Sequence, residues 1–412
     1  MKKTMNLLIG LFLILSSCCE INYIDPPEVN NPVMDSLPYN LIWEVPLFED
    51  TSESFSPLFP PVLIGENVIY ASDILDEENP EYGKDYIIAY DKLTGNIKWV
   101  WSGYKLDRKK EKSTPQVYGN IIVVTSGKEI YGINSETGAE EFSRITEGYR
   151  SVIQVSKGIL FYSEEFYPDG YSSSIFMYNN SDNTWREEFK VDQEDIYKYV
   201  NLYPPEVEIN QNNDTILYFQ ERKSKRNENF TNSSLFCYNL TKDSLIWKID
   251  SVDSLVSNIS NPPLVDDEKV YFLTAKTFHC YDKYTGEKLW ERYFEDTNFL
   301  SAGYGFYKDV IYVVDDRLNL IEVYRDSGEV KYYNNLYISH LFTVPPVYKN
   351  YILTVFKNLD IINADTGRKL HSFRSHRFVD GGVFNTGVAV DPNTNYMYVP
   401  DGYFLNCIEF PE

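Results

Sequence analysis

IIAYDKLTGNIKW at residues 87–99 and FHCYDKYTGEKLW at residues 278–290 are two copies of one pattern. Each copy has an apolar run ending in Tyr, then Asp, two residues, Thr-Gly, three residues and Trp. Weaker copies lie at 130–142, 235–247, 320–332 and 359–371, and a divergent copy, IFMYNNSDNTW, lies at 175–185. In the six clear copies the Trp position, which is His371 in the last, lies nine positions after the Tyr position. A fixed pattern that recurs along the chain is typical of repeat architectures.

The pattern predicts two antiparallel strands joined by a tight turn. The Asp or Asn side chain bonds the turn backbone, and the glycine takes the positive φ that closes the turn. The large aromatic side chain at the end is then available to pack on the neighbouring repeat. The residues assigned to this structural role are Trp43, Gly95, Trp99, Gly138, Trp247, Gly286, Trp290, Gly328 and Gly367.

Two further strands precede most copies, and proline opens several of them, as at Pro60-Pro61, Pro204-Pro205 and Pro345-Pro346. Each repeat therefore has four strands, A to D, which is the radial unit of a β-propeller. The strands group into seven units, at 61–101, 115–145, 150–191, 204–250, 262–295, 301–337 and 345–375. The remainder, 385–410, supplies three strands, and NLIWEV at 40–45 supplies the fourth. The sequence predicts an all-β, eight-bladed propeller of four-stranded antiparallel blades, closed by an N-terminal strand that covers an open sheet edge.

The N-terminal segment is typical of an export signal. Residues 1–17, MKKTMNLLIGLFLILSS, combine two lysines with an apolar run too short to span a bilayer. Leu15-Ser16-Ser17-Cys18 resembles the bacterial lipobox, which implies cleavage before Cys18 and lipidation of that residue. An ordinary secretory signal followed by two unmodified cysteines is the alternative. We therefore expect a signal peptide at 1–17, a lipidated, proline-containing tether at 18–38 and a propeller at 39–412.

Composition excludes several classes of function. There are 38 Lys and Arg against 61 Asp and Glu, a formal net charge of −23, which argues against nucleic acid as a partner because phosphate binding needs clustered cations. The 5 Cys and 4 His argue against a disulfide scaffold and against a His-rich metal enzyme. We expect no metal site and no catalytic residues. Cys237, Cys280 and Cys407 fall at repeat positions that suit buried, inert thiols.

The YDxxTGxxxW string at 90–99 and 281–290 resembles the PQQ-like repeat. That family includes quinoprotein dehydrogenases and the lipoprotein B subunit of the outer-membrane β-barrel assembly machinery, which this chain resembles in overall plan. The dehydrogenases of the family hold their cofactor beside a vicinal disulfide and a calcium ion. The vicinal cysteine pair of this chain is Cys18-Cys19, at the predicted lipidation site, so the resemblance implies no bound quinone (PQQ).

One face of the predicted ring is the candidate binding surface. In a propeller, the D–A and B–C connections lie on one face, here called the loop face, and the A–B and C–D turns lie on the other, the turn face. Segments such as 102–114 and 219–234 predict long connections on the loop face, where recognition residues are common. The candidates are Tyr167, Tyr171, Tyr197, Tyr199, Arg222, Lys223, Lys225, Arg226, Arg374 and Arg377. We expect the four cations within 222–226 to be solvated, so that their replacement by Ser leaves the melting temperature nearly unchanged.

The leading functional interpretation is a non-enzymatic envelope lipoprotein that binds protein. By resemblance it assists outer-membrane protein assembly, with a β-barrel assembly component as its partner. The alternatives are a quinone-dependent dehydrogenase and a glycan-binding lipoprotein, since exposed aromatic side chains also stack on sugars. We expect a monomeric propeller. Because Cys19 rather than Asp follows Cys18, we expect its lipid anchor to lie in the outer membrane of a Gram-negative-type envelope.

Overall fold

The computed structural model describes most of the chain from residue 39 onward. The described ranges are 39–47, 59–75, 83–105, 114–126, 128–148, 151–166, 172–191, 197–225, 231–250, 262–295, 297, 299, 303–315, 319–335, 344–356, 358–375, 387–401 and 403–411. The predicted signal peptide and tether, including Cys18, lie outside these residues. Within them the regular elements are β-strands, with no helix. Accordingly, the described residues include no helix that is long and apolar enough to cross a membrane.

The strands form eight antiparallel sheets, which are the blades. Blade 1 contains β2 (Val62–Ile64), β3 (Asn67–Leu75), β4 (Gly83–Asp91) and β5 (Ile97–Lys105), and blade 2 contains β6 (Gln116–Tyr118), β7 (Ile121–Ser126), β8 (Glu129–Asn134) and β9 (Glu140–Ile145). Blade 3 contains β10 (Ser151–Ser156), β11 (Ile159–Phe166), β12 (Ser172–Asn179) and β13 (Thr184–Val191). Blade 4 contains β14 (Tyr197–Leu202), β15 (Glu206–Ile209), β16 (Thr215–Lys225), β17 (Thr231–Asn239) and β18 (Ser244–Ile249).

The second half of the chain repeats this plan. Blade 5 contains β19 (Leu264–Val265), β20 (Lys269–Leu273), β21 (Thr277–Asp282) and β22 (Lys288–Tyr293), and blade 6 contains β23 (Tyr304–Tyr307), β24 (Val310–Val314), β25 (Asn319–Tyr324) and β26 (Val330–Asn335). Blade 7 contains β27 (Val347–Tyr348), β28 (Tyr351–Phe356), β29 (Asn358–Asn363) and β30 (Lys369–Arg374). Blade 8 contains β31 (Ala389–Asp391), β32 (Tyr396–Pro400), β33 (Phe404–Glu409) and the N-terminal β1 (Leu41–Pro46).

The N-terminal strand closes the ring, as the sequence predicts. β1 pairs antiparallel with β33, with Trp43 opposite Cys407 and Val45 opposite Leu405. Asn40 adds a side-chain hydrogen bond to Glu409, 2.5 Å between Nδ2 and Oε2. The predicted fold class, an eight-bladed propeller closed at the N-terminus, is therefore confirmed.

Blade 4 departs from the predicted four strands. β14 and β15 both pair with β16, β14 along residues 221–225 and β15 along residues 215–218. They act as one long inner strand that Pro204 and Pro205 interrupt, because proline has no backbone N–H for the ladder. The predicted loop at 219–234 is accordingly wrong: β16 runs to Lys225 and β17 starts at Thr231.

The core lies between blades rather than inside any one of them. Eight buried apolar clusters each join residues of two neighbouring blades. The cluster between blades 4 and 5, for example, brings Trp247 and Cys237 against Val270 and Phe272. A boundary of this kind between two blades is called a seam below. Burial of this apolar surface is the main driving force that holds the ring together.

The repeat residues act across these seams. In four seams an indole N–H donates to a backbone carbonyl of the next blade, at 2.9–3.1 Å: Trp43 to Lys92, Trp99 to Ser135, Trp247 to Lys283 and Trp290 to Arg325. The same rings cover the turn glycine, and a Cβ on Gly95, Gly138, Gly286 or Gly328 would come within 2.6–3.0 Å of them. All four glycines have φ near +70°. The glycine is therefore required both by the turn and by the aromatic ring of the preceding blade.

The residue after the repeat Asp has a role that the sequence did not reveal. Lys92, 8% exposed, contacts Asp391 of blade 8 and Glu66 of its own blade, both at 3.3 Å. Lys283 in the same position of blade 5 contacts Glu208 of blade 4 at 3.1 Å. These buried cations connect neighbouring blades on the turn face, where a repeat motif gives no indication of the partner.

Candidate functional site

The structure places the predicted loop-face residues in three groups. Tyr167, Tyr171, Arg226 and Arg377 lie outside the described residues. Tyr197 and Tyr199 belong to β14, while Arg222, Lys223 and Lys225 belong to β16. Arg374 ends β30 and is exposed on the loop face.

Paired strands, not only loops, build the loop face. β3, β4 and β5 of blade 1 have nine residues each, and β16 and β17 of blade 4 have eleven and nine. The corresponding strands of blades 5 to 7 have five or six. The longer strands continue the sheet at the ends that carry the B–C connections. Blades 1 and 4 therefore present hydrogen-bonded backbone at this face.

A charged cluster lies at the end of blade 4. Glu221 is 1% exposed, and Lys223 Nζ lies 3.1 Å from its Oε1. Burial raises the pKa of Glu221, and the charges of Lys223 and Lys248 oppose that rise. Lys248 also contacts Asp250 at 2.6 Å, and this hydrogen bond lowers the pKa of Asp250. Two carboxylates and two ammonium groups thus compensate one another at the edge of the loop face.

The expectation that the cations of 222–226 are solvated is wrong for Arg222. This side chain is 7% exposed, and Lys223 contacts the buried Glu221. Each lies in a central strand, with Arg222 paired on one side to Asn201 and on the other to Ser233. Polar residues within a paired strand resemble a loop in sequence, because the apolar alternation that marks a strand is absent. Replacement of all four cations by Ser should therefore lower stability, contrary to the sequence-based expectation.

Glu164 of blade 3 is also buried. It is 1% exposed in β11, accepts a hydrogen bond from the backbone N–H of Gly148, and accepts another from Tyr162 Oη at 3.2 Å. Burial raises its pKa, and these hydrogen bonds together with the Arg144 charge oppose the rise. Because Gly148 belongs to the connection from blade 2 to blade 3, Glu164 fixes that connection at the loop face.

Asp401 repeats this arrangement in blade 8. It is fully buried just after β32, and Ser375 Oγ, just after β30 of blade 7, donates to its Oδ2 at 2.8 Å. The backbone N–H of Phe404 donates to its Oδ1 at 2.9 Å. Carboxylates at the ends of B strands thus hold connections between blades, which is a structural role rather than a catalytic one.

The buried thiols behave as the sequence predicts. Cys237, Cys280 and Cys407 are at most 1% exposed, and burial raises the pKa of each to about 12. They are therefore neutral and poorly nucleophilic at physiological pH. His279 is also buried, with Nδ1 at 3.7 Å from Glu291 Oε2. Over the described part of the chain, no three His, Cys, Asp or Glu side chains converge as a metal site would require.

These features define an eight-bladed β-propeller with aromatic-on-glycine seams and a loop face built on long strands. Residues 230–340 match the family model described as outer membrane protein assembly factor BamB, which confirms the resemblance seen in the sequence. No curated protein sequence matches the chain.

Solved structures show the same fold at low sequence identity. BamB from Moraxella catarrhalis is 11% identical, with a TM-score of 0.55 over 91% of this chain and 99% of that one. Sqt1 from Saccharomyces cerevisiae is 9% identical, with a TM-score of 0.60 over 91% and 100%. A quinohemoprotein alcohol dehydrogenase from Pseudomonas putida HK5 is 10% identical, with a TM-score of 0.57 over 89% and 75%. These likenesses extend to the fold alone.

Proposed function

We propose that the protein is a non-enzymatic, lipid-anchored scaffold of the cell envelope that binds a protein partner through its loop face. The observation that carries the proposal is the construction of that face. Strands of blades 1 and 4 extend into it, and buried carboxylates hold the connections beside them. A surface fixed in this way loses little conformational entropy on binding, which favours recognition of another protein.

The match of residues 230–340 supports a partner in outer-membrane protein assembly. The test is affinity purification of the tagged full-length protein from gently solubilised membranes, followed by mass spectrometry. We expect co-purification of a β-barrel assembly component. Its absence, with unrelated proteins recovered instead, would contradict this assignment of the partner.

The contribution of the loop face can be measured with two variants of the same blade. Arg374→Glu changes an exposed cation on the loop face, and Arg368→Glu makes the same change on the turn face. For an acidic partner surface, the loop-face variant should slow association and flatten its salt dependence, while the turn-face variant leaves both unchanged. Equal effects of the two variants would place the interface elsewhere.

A quinone-dependent dehydrogenase is the competing function, and one sequence feature argues against it. The vicinal cysteine pair, Cys18-Cys19, precedes the first strand of the propeller in the sequence, and the cysteines within the blades are not adjacent to one another. Incubation of the purified protein with quinone and calcium, followed by an alcohol-oxidation assay, separates the two functions. Activity after this reconstitution would overturn the scaffold proposal.

The lipid anchor is proposed from the sequence motif. Mass spectrometry of the mature N-terminus should find a diacyl-modified Cys18 as the first residue. The Cys18→Ser variant should then be recovered without membranes. An unmodified Cys18, or a mature chain that begins elsewhere, would remove the anchor from the proposal.

A further inference from the structure

The seam between blades 3 and 4 differs from the others described above. In blades 1, 4 and 5 the strand register places a Trp opposite the residue before the repeat Tyr, as Trp247 lies opposite Cys237. In blade 3 that position belongs to Arg186, opposite Met177. The receiving turn of blade 4 carries Asp243, with φ +50°, where the turns of blades 1, 2, 5, 6 and 7 carry glycine. The indole and the glycine are therefore both missing from the same seam.

A displaced tryptophan in blade 3 explains why the seam between blades 3 and 4 has no indole. In blades 1, 4 and 5 a β-bulge next to the repeat Tyr places one extra residue before the Trp, whereas the bulge of blade 3 lies further along, between Ile175 and Phe176. Trp185 therefore lies opposite Tyr178, one position from the usual register. A shift by one residue turns a strand side chain to the other face of the sheet. Trp185 consequently packs towards blade 2, 4.8 Å from Tyr162 and 6.1 Å from Phe142 between ring centroids. Phe189 fills the middle of the seam, against Phe219 and Phe236, and the turn-face end stays open.

A cleft of about 550 Å³ occupies that end. This volume lies in the range of small-molecule sites, roughly 300–1,000 Å³. Its floor includes Ile159, Met177 and Leu240, and the rings of Tyr118 and Tyr178 meet edge to face beside it, 5.9 Å apart. The remaining lining consists mainly of amide and hydroxyl groups, contributed by Asn179, Asn180, Ser181, Thr215 and Thr241.

The charge of the cleft is compensated. Arg186 is its charged lining residue, and its Nε and Nη2 donate to the two carboxylate oxygens of Glu188 at 2.5 and 2.9 Å. An anionic ligand would have to compete with this bidentate pair. The limited apolar floor also suits a long acyl chain poorly. Tyr178 is 6% exposed and packs on Phe142, so the partly exposed ring of Tyr118 is the aromatic surface of the cleft. This ring, combined with amides and hydroxyls, instead matches a ligand that has apolar C–H faces and many hydroxyl groups.

We infer that this cleft binds a neutral saccharide of one or two rings. The site lies on the turn face, opposite the proposed protein-binding surface, and does not depend on that proposal. It exists because one seam of the ring lacks the aromatic-on-glycine contact that fills the equivalent space in five others.

The test uses the full-length protein with N-acetylglucosamine, galactose and maltose as probes. Saturation-transfer-difference NMR should show contact with at least one sugar, with a Kd in roughly the millimolar range typical of a small, weakly buried ligand. The Ser181→Trp variant places a ring at the mouth of the cleft and should weaken binding about tenfold or more. Ser181 is exposed, so the fold should be retained.

Leu93→Trp is the matched control, because Leu93 occupies the same turn position in blade 1 and is 51% exposed. It should leave sugar binding unchanged. Arg374→Glu on the loop face should also leave it unchanged, which separates this site from the proposed protein interface. No saturation transfer from any of the three sugars, or equal transfer in Ser181→Trp and the unsubstituted protein, would overturn the inference.

Discussion

Two glycines of blade 2 allow the aromatic-on-glycine contact to be measured separately from backbone strain. Gly138 has φ +71° and Gly119 has φ +60°, so alanine at either position takes a left-handed conformation. A Cβ on Gly138 would lie 2.8 Å from Trp99 Cδ2, whereas a Cβ on Gly119 would have no neighbour within 4 Å. The two alanine variants therefore share the strain and differ in the clash.

The left-handed conformation costs about 1–2 kcal/mol for a residue with a Cβ. Displacement of the Trp99 ring adds about 1–3 kcal/mol for overpacking, and its 3.0 Å hydrogen bond to Ser135 O is worth about 1 kcal/mol. We expect Gly119→Ala to lower the free energy of unfolding by about 1–2 kcal/mol and Gly138→Ala to lower it by about 3–6 kcal/mol. Urea denaturation followed by tryptophan fluorescence, with unchanged m-values, measures the difference.

The same glycine substitution in a Trp99→Leu protein tests whether the indole ring causes the difference. When Trp99 is replaced by Leu, the ring that clashes with a Cβ at position 138 is removed. In that background Gly138→Ala should cost no more than Gly119→Ala, so the two changes are strongly non-additive. Equal losses for the two single variants, or the same loss from Gly138→Ala in both backgrounds, would refute the explanation of the glycine.

Four further results are expected. Lys223→Met leaves Glu221 buried without its nearest cation and should cost about 1–3 kcal/mol, with part recovered by adding Glu221→Gln, as urea midpoints would show. The three propeller cysteines should resist iodoacetamide in the native protein and react in urea, as mass spectrometry would show. Rapid labelling of the native protein would contradict their burial. Burial would raise the pKa of Asp391, but hydrogen bonds from Asn393, Thr394 and Lys92 outweigh it and lower that pKa. The ionised Asp391 carboxylate thus contributes its full stabilisation above its unfolded pKa of about 3.9, and this stabilisation is lost as pH falls through the lower pKa of the folded state. The Asp391→Asn variant should therefore lose less stability on acidification than the unsubstituted protein. Deletion of residues 39–46 should expose the edge of β33 and cause aggregation detectable by light scattering, and a deleted protein that melts like the full chain would show that closure occurs in another way.

The repeat made the fold predictable because turns and seams impose local requirements. Asp91 Oδ1 accepts hydrogen bonds from the backbone N–H groups of Leu93 and Thr94 at 3.1 and 3.0 Å, as the motif suggests. The glycine and the Trp are fixed by one turn and one neighbouring blade. Each requirement is therefore met by residue types a few positions apart, and the number of times this pattern recurs indicates the number of blades.

The candidate surface was less predictable because its residues depend on distant partners. Arg222 looks like part of a cationic loop until its pairing with Asn201 and Ser233 is known. Lys92 meets Asp391 across the closing seam, and spacing within one repeat cannot indicate that contact. The divergent copy at 175–185 was visible in the sequence, and it marked the seam that contains the cleft. Only the register of Arg186 with Met177 showed that a space had opened there.

The closing strand also has a consequence for the order of folding. Asn40 and Glu409 meet across 369 positions, so the first strand of the ring pairs with the last one to be synthesised. Seven blades can form from contiguous chain while β1 has no partner for its backbone groups. Completion of the ring then requires pairing between the first and the last of the described strands. We therefore expect slow closure, because the chain loses the entropy of joining distant ends before the contacts form. A protein exported as an unfolded chain would therefore stay an open ring, vulnerable to proteases and to other strand edges, until its last residues cross the membrane.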